Sequence, residues 1–392
     1  MCGKNHGLCN LLFGLCTTVI RGWWHTSHVV VVDSLMRSDF ADDRVRAVRT
    51  SSLLDMDAFR AYVLDKYGVN VVLRDQVRVE VSSARWGHAE KGWVDVTEEF
   101  RRRFELVPRK SGGVLRDGQM EGYESDQGYV VPKGTDFNSL GDGGDPCAGF
   151  PKRLDVFVKV RTVWGAEWTF RVSHAEESIR KGGGADWILR GEGSLPWNFA
   201  WINTIDSQKF DDLLEHIILK MPPGFSLPPV SGKVSVLHVR VEEDYIKHVS
   251  TNLLHVSPSS YRSALVSAWS RAILTSIPRT DTVVVLSYLI FGNPVLAFLQ
   301  RAGYRNIVVL RKQPKKGREV NAVADLIAGV ELCNHVFIGC WSHTHLRGST
   351  FSYVIARHLK ARSAPVKLVF LDSEQIMKNP RPEVYTTAKD LR

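Results

Sequence analysis

The stretch "TVVVLSYLIFGNPVLAFLQRAGYRNIVVL", Thr282 to Leu310, decides the fold class of this chain. It begins with the uninterrupted apolar run "TVVVLS", which is typical of a strand buried on both faces. A helix pattern follows in "NPVLAFLQRAG", with Pro294 near its start and Gly303 at its end. The run "NIVVL" then predicts a second buried strand. Two buried strands joined by a helix predict a parallel βαβ unit.

Further strand and helix patterns continue this alternation on both sides. In chain order they are "KVSVLHVR" (233–240), "SSYRSALVSAWSRAIL" (259–274), "REVNAVADLIAGVELC" (318–333), "HVFIG" (335–339), "STFSYVIARHL" (349–359) and "VKLVFL" (366–371). We therefore predict an α/β fold in which residues 231–392 form a Rossmann-like domain. Its ligand should lie at the carboxyl ends of the parallel strands.

The first residues predict the start of another α/β domain. "HGLCNLLFGLCTTVIRG" (6–22) carries an apolar stripe at helical spacing, and "HVVVVDS" (28–34) predicts a buried strand. A secretory signal is the alternative interpretation, but polar residues interrupt the run and no A-x-A-like cleavage site follows it. The run is also too short to span a bilayer. We assign residues 1–75 and 185–230 to this split domain.

The middle of the chain has a different periodicity. "VRVEV" (77–81), "LDVFVKV" (154–160) and "EWTFRV" (167–172) alternate apolar and polar residues, as half-buried antiparallel strands do. The last two are joined by "VWGA", which predicts a hairpin. Residues 76–182 are therefore predicted to form a small β domain inserted into the first α/β domain.

Composition is that of a soluble globular protein, with 392 residues, 44% hydrophobic and 24% charged residues. The net charge of +9 suits an anionic ligand, although no recognition motif for nucleic acid accompanies it. Much of that charge lies in "RRRF", "PRKSG" and "LRKQPKKGR", which we interpret as solvated segments. "CNHVFIGCWSHTH" (333–345) contains five zinc-type ligands, but a helix end and a strand would make them diverge. We predict no metal site.

Polar residues follow the strand predicted over 233–240. His238 and Arg240 stand where that strand ends, and Arg240 offers a permanently charged fork of donors that suits a diphosphate. Glu242 and Glu243 come next, and either is a candidate general base. Because successive strand residues point to opposite faces, at most one of them should serve. The alternative is a salt-bridged strand end without function.

Two other segments suit the same ligand. "GSTFS" (348–352) precedes a helix, and Ser349 or Thr350 is a natural N-cap beside amides that can bind phosphate. Asp325 shares a helix face with Asn321, away from the apolar face, and its carboxylate could accept two hydrogen bonds from a guanine edge. The alternatives are a helix cap only and a solvated carboxylate.

In this order, "GLCNLLFGL", "HVRVEED" and "EVNAVADLIAGVELCNHVFIG" followed by "GSTFS" resemble the GDP-fucose-dependent O-fucosyltransferase superfamily. The similarity is greater to its branch in algae, protists and large viruses than to the animal protein-modifying enzymes. It implies a GT-B-like architecture, with two Rossmann-like domains facing a cleft. It also implies a metal-independent, inverting transfer of fucose from GDP-fucose to a hydroxyl group of a glycan or protein, without a cofactor.

The resemblance also implies roles for individual residues. Gly7 and Asn10, in a loop, would approach the donor sugar and diphosphate. His238 and Arg240 would hold the diphosphate, and Asp325 the guanine. The β-phosphate and ribose would be contacted by Ser349, Thr350 and Phe351. Arg240 and Glu242 are the residues that we assign to catalysis.

The chain departs from the family pattern at two positions. His6 stands where a second Gly is usual, and Leu11 where Gln is usual. These departures keep open a catalytically inactive lectin-like or scaffold protein, and a GT-B enzyme for another nucleotide sugar is the other alternative. Because the first motif lies so near the start, we expect a cytoplasmic protein, or a secretory one whose gene model is truncated.

The inserted β domain has a resemblance of its own. "SARWG", "WVDVTEEF" and "GDPCAGFPKRLDVFVKV" are similar to the small β domain at the end of certain mitochondrial J-domain co-chaperones. A contact with a protein or with the acceptor is the functional interpretation, and a purely structural insertion is the alternative.

Overall fold

A computed structural model provides the structure of the chain. It describes residues 8–24, 29–32, 35–36, 48–103, 115–116, 119–120, 129–130, 147–175, 184–185, 207–310, 312–313, 318–342, 347–362, 365–378 and 383–385. None of the helices within these ranges combines the length and apolar character that crossing a bilayer requires.

The described α-helices are α1 (Leu8–Trp24), α2 (Thr50–Leu53), α3 (Met56–Tyr67), α4 (Thr97–Arg103), α5 (Ser207–Glu215), α6 (Glu243–Lys247), α7 (Pro258–Ser276), α8 (Pro294–Arg301), α9 (Arg318–Leu332), α10 (Thr350–Ala361) and α11 (Ser373–Lys378). A 3₁₀ turn spans Arg74–Gln76, and a π-helix spans His248–Leu254.

The strands are β1 (Val29–Val32), β2 (Leu35–Met36), β3 (Val48–Arg49), β4 (Asn70–Leu73), β5 (Val77–His88), β6 (Gly92–Asp95), β7 (Leu115–Arg116), β8 (Gln119–Met120), β9 (Tyr129–Val130), β10 (Arg153–Thr162), β11 (Glu167–Ala175), β12 (Gly184–Ala185), β13 (Val234–His238), β14 (Thr282–Leu286), β15 (Ile307–Val309), β16 (Val336–Gly339), β17 (Trp341–Ser342), β18 (Arg347–Gly348), β19 (Lys367–Phe370) and β20 (Glu383–Tyr385).

The chain forms two compact units. The β unit contains His28–Asp33 and Asn70–Glu192, and the α/β unit contains Cys2–Ser27, Ser34–Val69 and Gly193–Arg392. These limits differ from the predicted domain boundaries, because β1 and β4 belong to the β unit whereas α1 and α3 belong to the α/β unit. The predicted return of the first domain through 186–205 lies outside the described residues.

The α/β unit is built on a six-stranded sheet in the order β15-β14-β13-β16-β19-β20. All neighbouring strands are parallel except β20, which runs antiparallel to β19. This confirms the predicted parallel sheet. The order of the strands reverses at the β13–β16 pair, since the chain first proceeds outward through β14 and β15 and then returns to β16. In such sheets the crevice beside that reversal is where ligands bind.

Helices cover both faces of this sheet. All five residues of β13 are buried, as a strand between two helical layers requires. One layer contains α7, which contacts α6, α8 and α11; the other contains α10, which contacts α1, α5 and α9. In the first layer, Trp269 and Leu265 of α7 are fully buried against Val283 and Ile338 of the sheet.

The first helix belongs to the core of the α/β unit. Leu8, Leu12, Leu15 and Val19 of α1 are buried, as the predicted stripe requires. The side chain of Leu11, which completes that stripe, lies outside the described residues. Because α1 packs on α5, α9 and α10, its apolar residues contribute to the core of this unit.

The β unit contains a four-stranded antiparallel sheet in the order β11-β10-β5-β6 and a parallel pair of β1 with β4. The predicted hairpin is confirmed: β10 and β11 pair antiparallel, and the Thr162 amide donates to the Ala166 carbonyl at 2.8 Å. Helix α4 packs on β5 and buries Phe100. The alternation of apolar and polar residues along these strands thus identified an antiparallel sheet whose apolar face is covered.

Candidate functional site

Strand β13 ends two residues earlier than predicted, at His238. The chain then leaves the sheet, with Glu242 directly before α6 and Glu243 as the first residue of α6. The expectation that these glutamates alternate along a strand is therefore wrong. Glu243 is exposed and pairs with Arg262, whereas Glu242 turns back to Arg240. Of the two, Glu242 is the carboxylate at the sheet edge.

Arg240 and Glu242 form an ion pair at this edge. Nε of Arg240 lies 3.0 Å from Oε2 of Glu242, and the guanidinium lies 4.9 Å from the centroid of the Tyr245 ring. The Tyr288 amide donates to Oε1 of Glu242 at 3.3 Å. Burial is the largest single effect and disfavours the charge on Arg240, but Glu242, Tyr245 and Asp244 together with Cys340 outweigh it and raise the arginine pKa. Arg240 therefore carries a permanent positive charge where the strand ends.

His238 is a buried, neutral ring beside this charge. Its Nδ1 atom lies 2.7 Å from the Ser352 hydroxyl oxygen, and its ring stacks on Phe351 at 4.5 Å between centroids. Burial, followed by the charges of Arg240 and Lys312, holds the pKa of His238 well below its ordinary value. His238 can therefore offer a hydrogen bond at neutral pH but no positive charge.

The amino end of α10 follows the switch-point strand β16. Gly348 has φ +133°, and a Cβ atom there would lie 2.9 Å from the Cys340 carbonyl oxygen, so this position requires glycine. The Ser349 amide donates to that same carbonyl at 2.8 Å, which fixes the start of the helix.

Ser349 does not cap the helix with its side chain, contrary to expectation. It is only 4% exposed, and its hydroxyl has no hydrogen-bond partner among the described residues. Thr350 and Phe351 form the first turn of α10, whose amides lack partners within the helix. A buried free hydroxyl beside such amides has the chemistry of an anion site.

A pocket of about 630 Å³ lies at the end of β15. Its walls are formed by the segment before β13, the end of β15 and the first half of α9, namely Met221, Gly224, Phe225, Ser226, Leu227, Leu310, Lys312, Gln313, Ala324 and Asp325. The Lys312 ammonium and one oxygen of Asp325 form an ion pair in its wall. Burial raises the pKa of Asp325, and the Lys312 charge opposes that shift.

The backbone beside Lys312 is held by side-chain hydrogen bonds. Asn321 accepts from the Gln313 amide at 2.8 Å and donates to the Gln313 carbonyl at 3.0 Å. The Gln313 side chain donates to the Gly224 carbonyl at 2.6 Å. These bonds join three walls of the pocket and hold the segment that carries Lys312 against the helix that carries Asp325.

The structure brings most of the predicted site residues to one edge of the α/β unit. The charges of Arg240 and Lys312 both help to lower the pKa of His238. The charge of Arg240 also opposes the rise in pKa that burial causes at the Cys9 thiol, in the first turn of α1. Gly7 lies outside the described residues. Asn10 lies in α1 and not in the expected loop, and its side chain is not described.

Sequence reasoning missed Lys312 and Ser352. Lys312 lies in the basic run that we interpreted as solvated, yet its side chain is 18% exposed and ion-paired. Ser352 is the third residue of α10, after the residues that the capping pattern singled out. Its hydroxyl accepts a hydrogen bond from the Cys340 amide at 3.0 Å and also contacts Nδ1 of His238. Charged or hydroxyl residues next to a predicted strand end are the signal that could have singled them out.

The structure describes part of the segment 333–345, which contains five zinc-type ligands. Cys333 contacts the Val336 carbonyl oxygen through its sulfur, and Nδ1 of His335 lies 2.5 Å from Oδ2 of Asp281. His343 and His345 lie outside the described residues. Within the described ranges, no group of three or more His, Cys, Asp or Glu side chains could hold a metal ion.

Comparison of the chain with protein-family models, with curated proteins and with solved structures finds no match. The function proposed below therefore rests on the geometry of this edge, on the chemistry of its side chains and on the resemblance of the sequence motifs.

Proposed function

We propose that this protein is a glycosyltransferase that moves fucose from GDP-fucose to a hydroxyl group of a glycan or protein, without a metal ion and with inversion. The observation that carries the proposal is the pairing of a permanent cation, Arg240, with the amino end of α10 at the switch point of a parallel sheet. Ser349 adds a buried hydroxyl without a partner among the described residues. Such a crevice suits a nucleoside diphosphate.

The proposed chemistry is stabilisation of the leaving group. As the bond between the sugar C1 and the β-phosphate oxygen breaks, negative charge develops on the diphosphate. Arg240 and the amides at Thr350 and Phe351 would hold that charge, and neutral His238 would donate a further hydrogen bond. Fixed donors aimed at developing charge are usually the largest catalytic contribution, about 3 kcal/mol for one good group.

The acceptor side of the reaction needs a proton acceptor. The hydroxyl oxygen attacks C1 from the face opposite the leaving GDP, the C1–O bond to GDP breaks, and the hydroxyl proton passes to a base. Glu242 supports this role because it is the carboxylate at the sheet edge and is held by Arg240 and the Tyr288 amide. A single displacement of this kind inverts the configuration at C1.

The remaining parts of the donor are assigned to the neighbouring segments. Guanine would occupy the pocket beside Asp325, and Thr350 and Phe351 would lie near the ribose. Gly7 and Asn10 would approach the sugar, within the GT-B-like arrangement that the resemblance implies. The β unit would contact the acceptor or a partner protein, and we propose a cytoplasmic location. All of these assignments are expectations from the resemblance.

The first test is release of GDP from GDP-fucose by the purified chain and by Arg240→Ala. Arg240→Ala should release GDP at least about a hundredfold more slowly. Arg262→Ala, which removes an exposed arginine paired with Glu243, is the matched control and should keep the wild-type rate. Equal rates for wild type and Arg240→Ala would contradict the assignment.

A non-catalytic binding protein is the second candidate. The Arg240–Glu242 pair favours it, since each group neutralises the other, and so do the departures at His6 and Leu11. It predicts GDP binding without release of GDP from GDP-fucose. A transferase for another sugar nucleotide instead predicts that UDP or ADP competes better than GDP.

A further inference from the structure

The Lys312–Asp325 pair lines the pocket, and of the two only Asp325 has a role in the function proposed above, as the residue expected to hold guanine. We propose that Lys312, held beside Asp325, contacts O6 of the base and is the residue that selects a 6-oxopurine. This inference rests on the proposed nucleotide site. It concerns which base is accepted, which the diphosphate contacts of Arg240 and α10 cannot determine.

The pattern of donors and acceptors matches guanine. The guanine edge presents an acceptor, O6, followed by two donors, N1–H and the 2-amino group. The Asp325 carboxylate supplies two acceptors, and the Lys312 ammonium beside it supplies a donor for O6. Adenine presents an amino group where guanine has O6, so its donor would meet the Lys312 donor. Uracil would turn a carbonyl oxygen toward the carboxylate.

Both groups keep bonding capacity for a ligand. Asp325 uses Oδ2 for Lys312, and within the described ranges its Oδ1 accepts no hydrogen bond. Lys312 has three donors and makes one bond, to Asp325, within the same ranges. Asn321 fixes the backbone beside Lys312, and the ion pair with Asp325 holds the ammonium, so less ordering is needed when a base enters.

The surroundings suit a planar base. Phe225, Leu227 and Met221 give the pocket apolar walls, and its volume of about 630 Å³ lies within the usual range for small-molecule sites. An ion pair that is 18% and 13% exposed loses most of its hydration. Two apolar residues could fill that space at similar or better stability, so fold stability alone does not account for the pair.

The test is calorimetric titration of GDP, IDP, ADP and UDP in the presence of EDTA. IDP keeps O6 and N1–H but lacks the 2-amino group, so it separates the two side chains. Lys312→Met should weaken the binding of GDP and of IDP alike, by about tenfold to a hundredfold, and leave the affinity for ADP unchanged. Asp325→Asn should instead reduce the preference for GDP over IDP to about one.

Lys233→Met is the matched control, since it removes one exposed lysine before β13 and should leave all four affinities unchanged. Lys312→Met leaves a buried carboxylate unpaired, so the double variant Lys312→Met/Asp325→Asn guards against loss of the fold. It should bind GDP and ADP with equal, weak affinity through the diphosphate.

The outcomes separate this inference from the proposed function. If Lys312→Met weakens GDP and ADP by the same factor, or the double variant still prefers GDP, base selection by this pair is wrong while a nucleotide site stands. If the wild type binds none of the four nucleotides, the proposed function fails and this inference fails with it.

Discussion

The Nδ1 atom of His238 lies 2.7 Å from the hydroxyl oxygen of Ser352, at the point where the order of the strands reverses. The same hydroxyl accepts the Cys340 amide hydrogen at 3.0 Å. One side chain of α10 therefore joins the ends of β13 and β16. This bond fixes the amino end of the helix between the two strands before any ligand enters.

Ser352→Ala should destabilise the α/β unit. The substitution leaves the buried Cys340 amide and His238 Nδ1 without a partner, which we expect to cost about 1–3 kcal/mol in the free energy of unfolding. Urea denaturation measures this change. Ser231→Ala, at an exposed position, is the control and should unfold like the wild type. A Ser352→Ala protein with the wild-type urea midpoint would show that the hydroxyl does not hold the two strands.

The parallel sheet could be predicted from sequence because each of its elements is encoded locally. Apolar runs and helical periodicity identified β13, β14, β15, β16 and β19 and the helices α7 to α10 to within a few residues. The boundary at His238 was missed because Val239 remains apolar and buried after the strand has ended. The division into units was missed because the β1–β4 pairing joins residues about 40 positions apart, which local patterns do not report.

The candidate site divides in the same way. Arg240 and Ser349 stand beside a recognisable strand end and helix start, and Asp325 lies inside a helix on a face away from its apolar residues, so their positions could be predicted. The role of Lys312 could not, since a lysine in a basic run becomes an ion-paired pocket residue only through contact with Asp325 on another element. That the Ser349 hydroxyl has no partner among the described residues likewise depends on which groups surround it and not on the capping pattern.

His358 should make the protein less stable in weak acid. Burial lowers its pKa from 6.5 to about 4, with a backbone hydrogen bond at Glu215 opposing that shift. Because the unfolded chain takes up the proton first, stability that is present above pH 6.5 is lost as the pH falls toward 4. Replacing His358 by Gln should therefore reduce the loss of unfolding free energy between pH 7 and pH 5 by about 2 kcal/mol.

Urea titrations at pH 7, 6 and 5 check this prediction. His248→Gln removes an exposed histidine and should keep the wild-type pH dependence. If the free energy of unfolding fell equally with pH in the wild type and in His358→Gln, the buried ring would not be held neutral.

Arg357 joins α10 to α5 through two carboxylates. It pairs with Asp211, and its Nε lies 3.1 Å from Oε1 of Glu215. Burial raises the pKa of both carboxyl groups, and the Arg357 charge opposes the shift. Arg357→Met should cost about 3–5 kcal/mol at pH 7, because it takes a buried cation away from two partly buried carboxylates.

The cost of Arg357→Met in the free energy of unfolding should become smaller as the pH falls to 5. Carboxyl groups with a raised pKa take up protons in the folded state before they do so in the unfolded chain. Arg262→Met, at an exposed ion pair, should cost less than about 1 kcal/mol and serves as the control. Thermal or urea unfolding at the two pH values measures both variants. A cost for Arg357→Met that does not depend on pH would contradict the buried-charge account.

Gly348→Ala should disturb the amino end of α10. Its φ of +133° is unfavourable for alanine, and the added Cβ would lie 2.9 Å from backbone atoms of Cys340 and Trp341. We expect a cost of about 3 kcal/mol and weaker binding of GDP. Gly303→Ala has φ +83° and no atom within 4 Å of its Cβ, so it should cost about 1 kcal/mol and leave GDP binding unchanged. Equal effects of the two substitutions would rule out the collision as the cause.

The most direct test of the central claim is thermal unfolding of the full chain during titration with GDP, with UDP and ADP as comparisons and EDTA throughout. We predict selective stabilisation by GDP, reaching about 2.7 kcal/mol at a hundredfold excess over Kd, and a reduced effect in Ser349→Ala. Absence of stabilisation by GDP, or stabilisation that appears only when a divalent metal replaces EDTA, would contradict a metal-independent GDP-sugar site at the switch point.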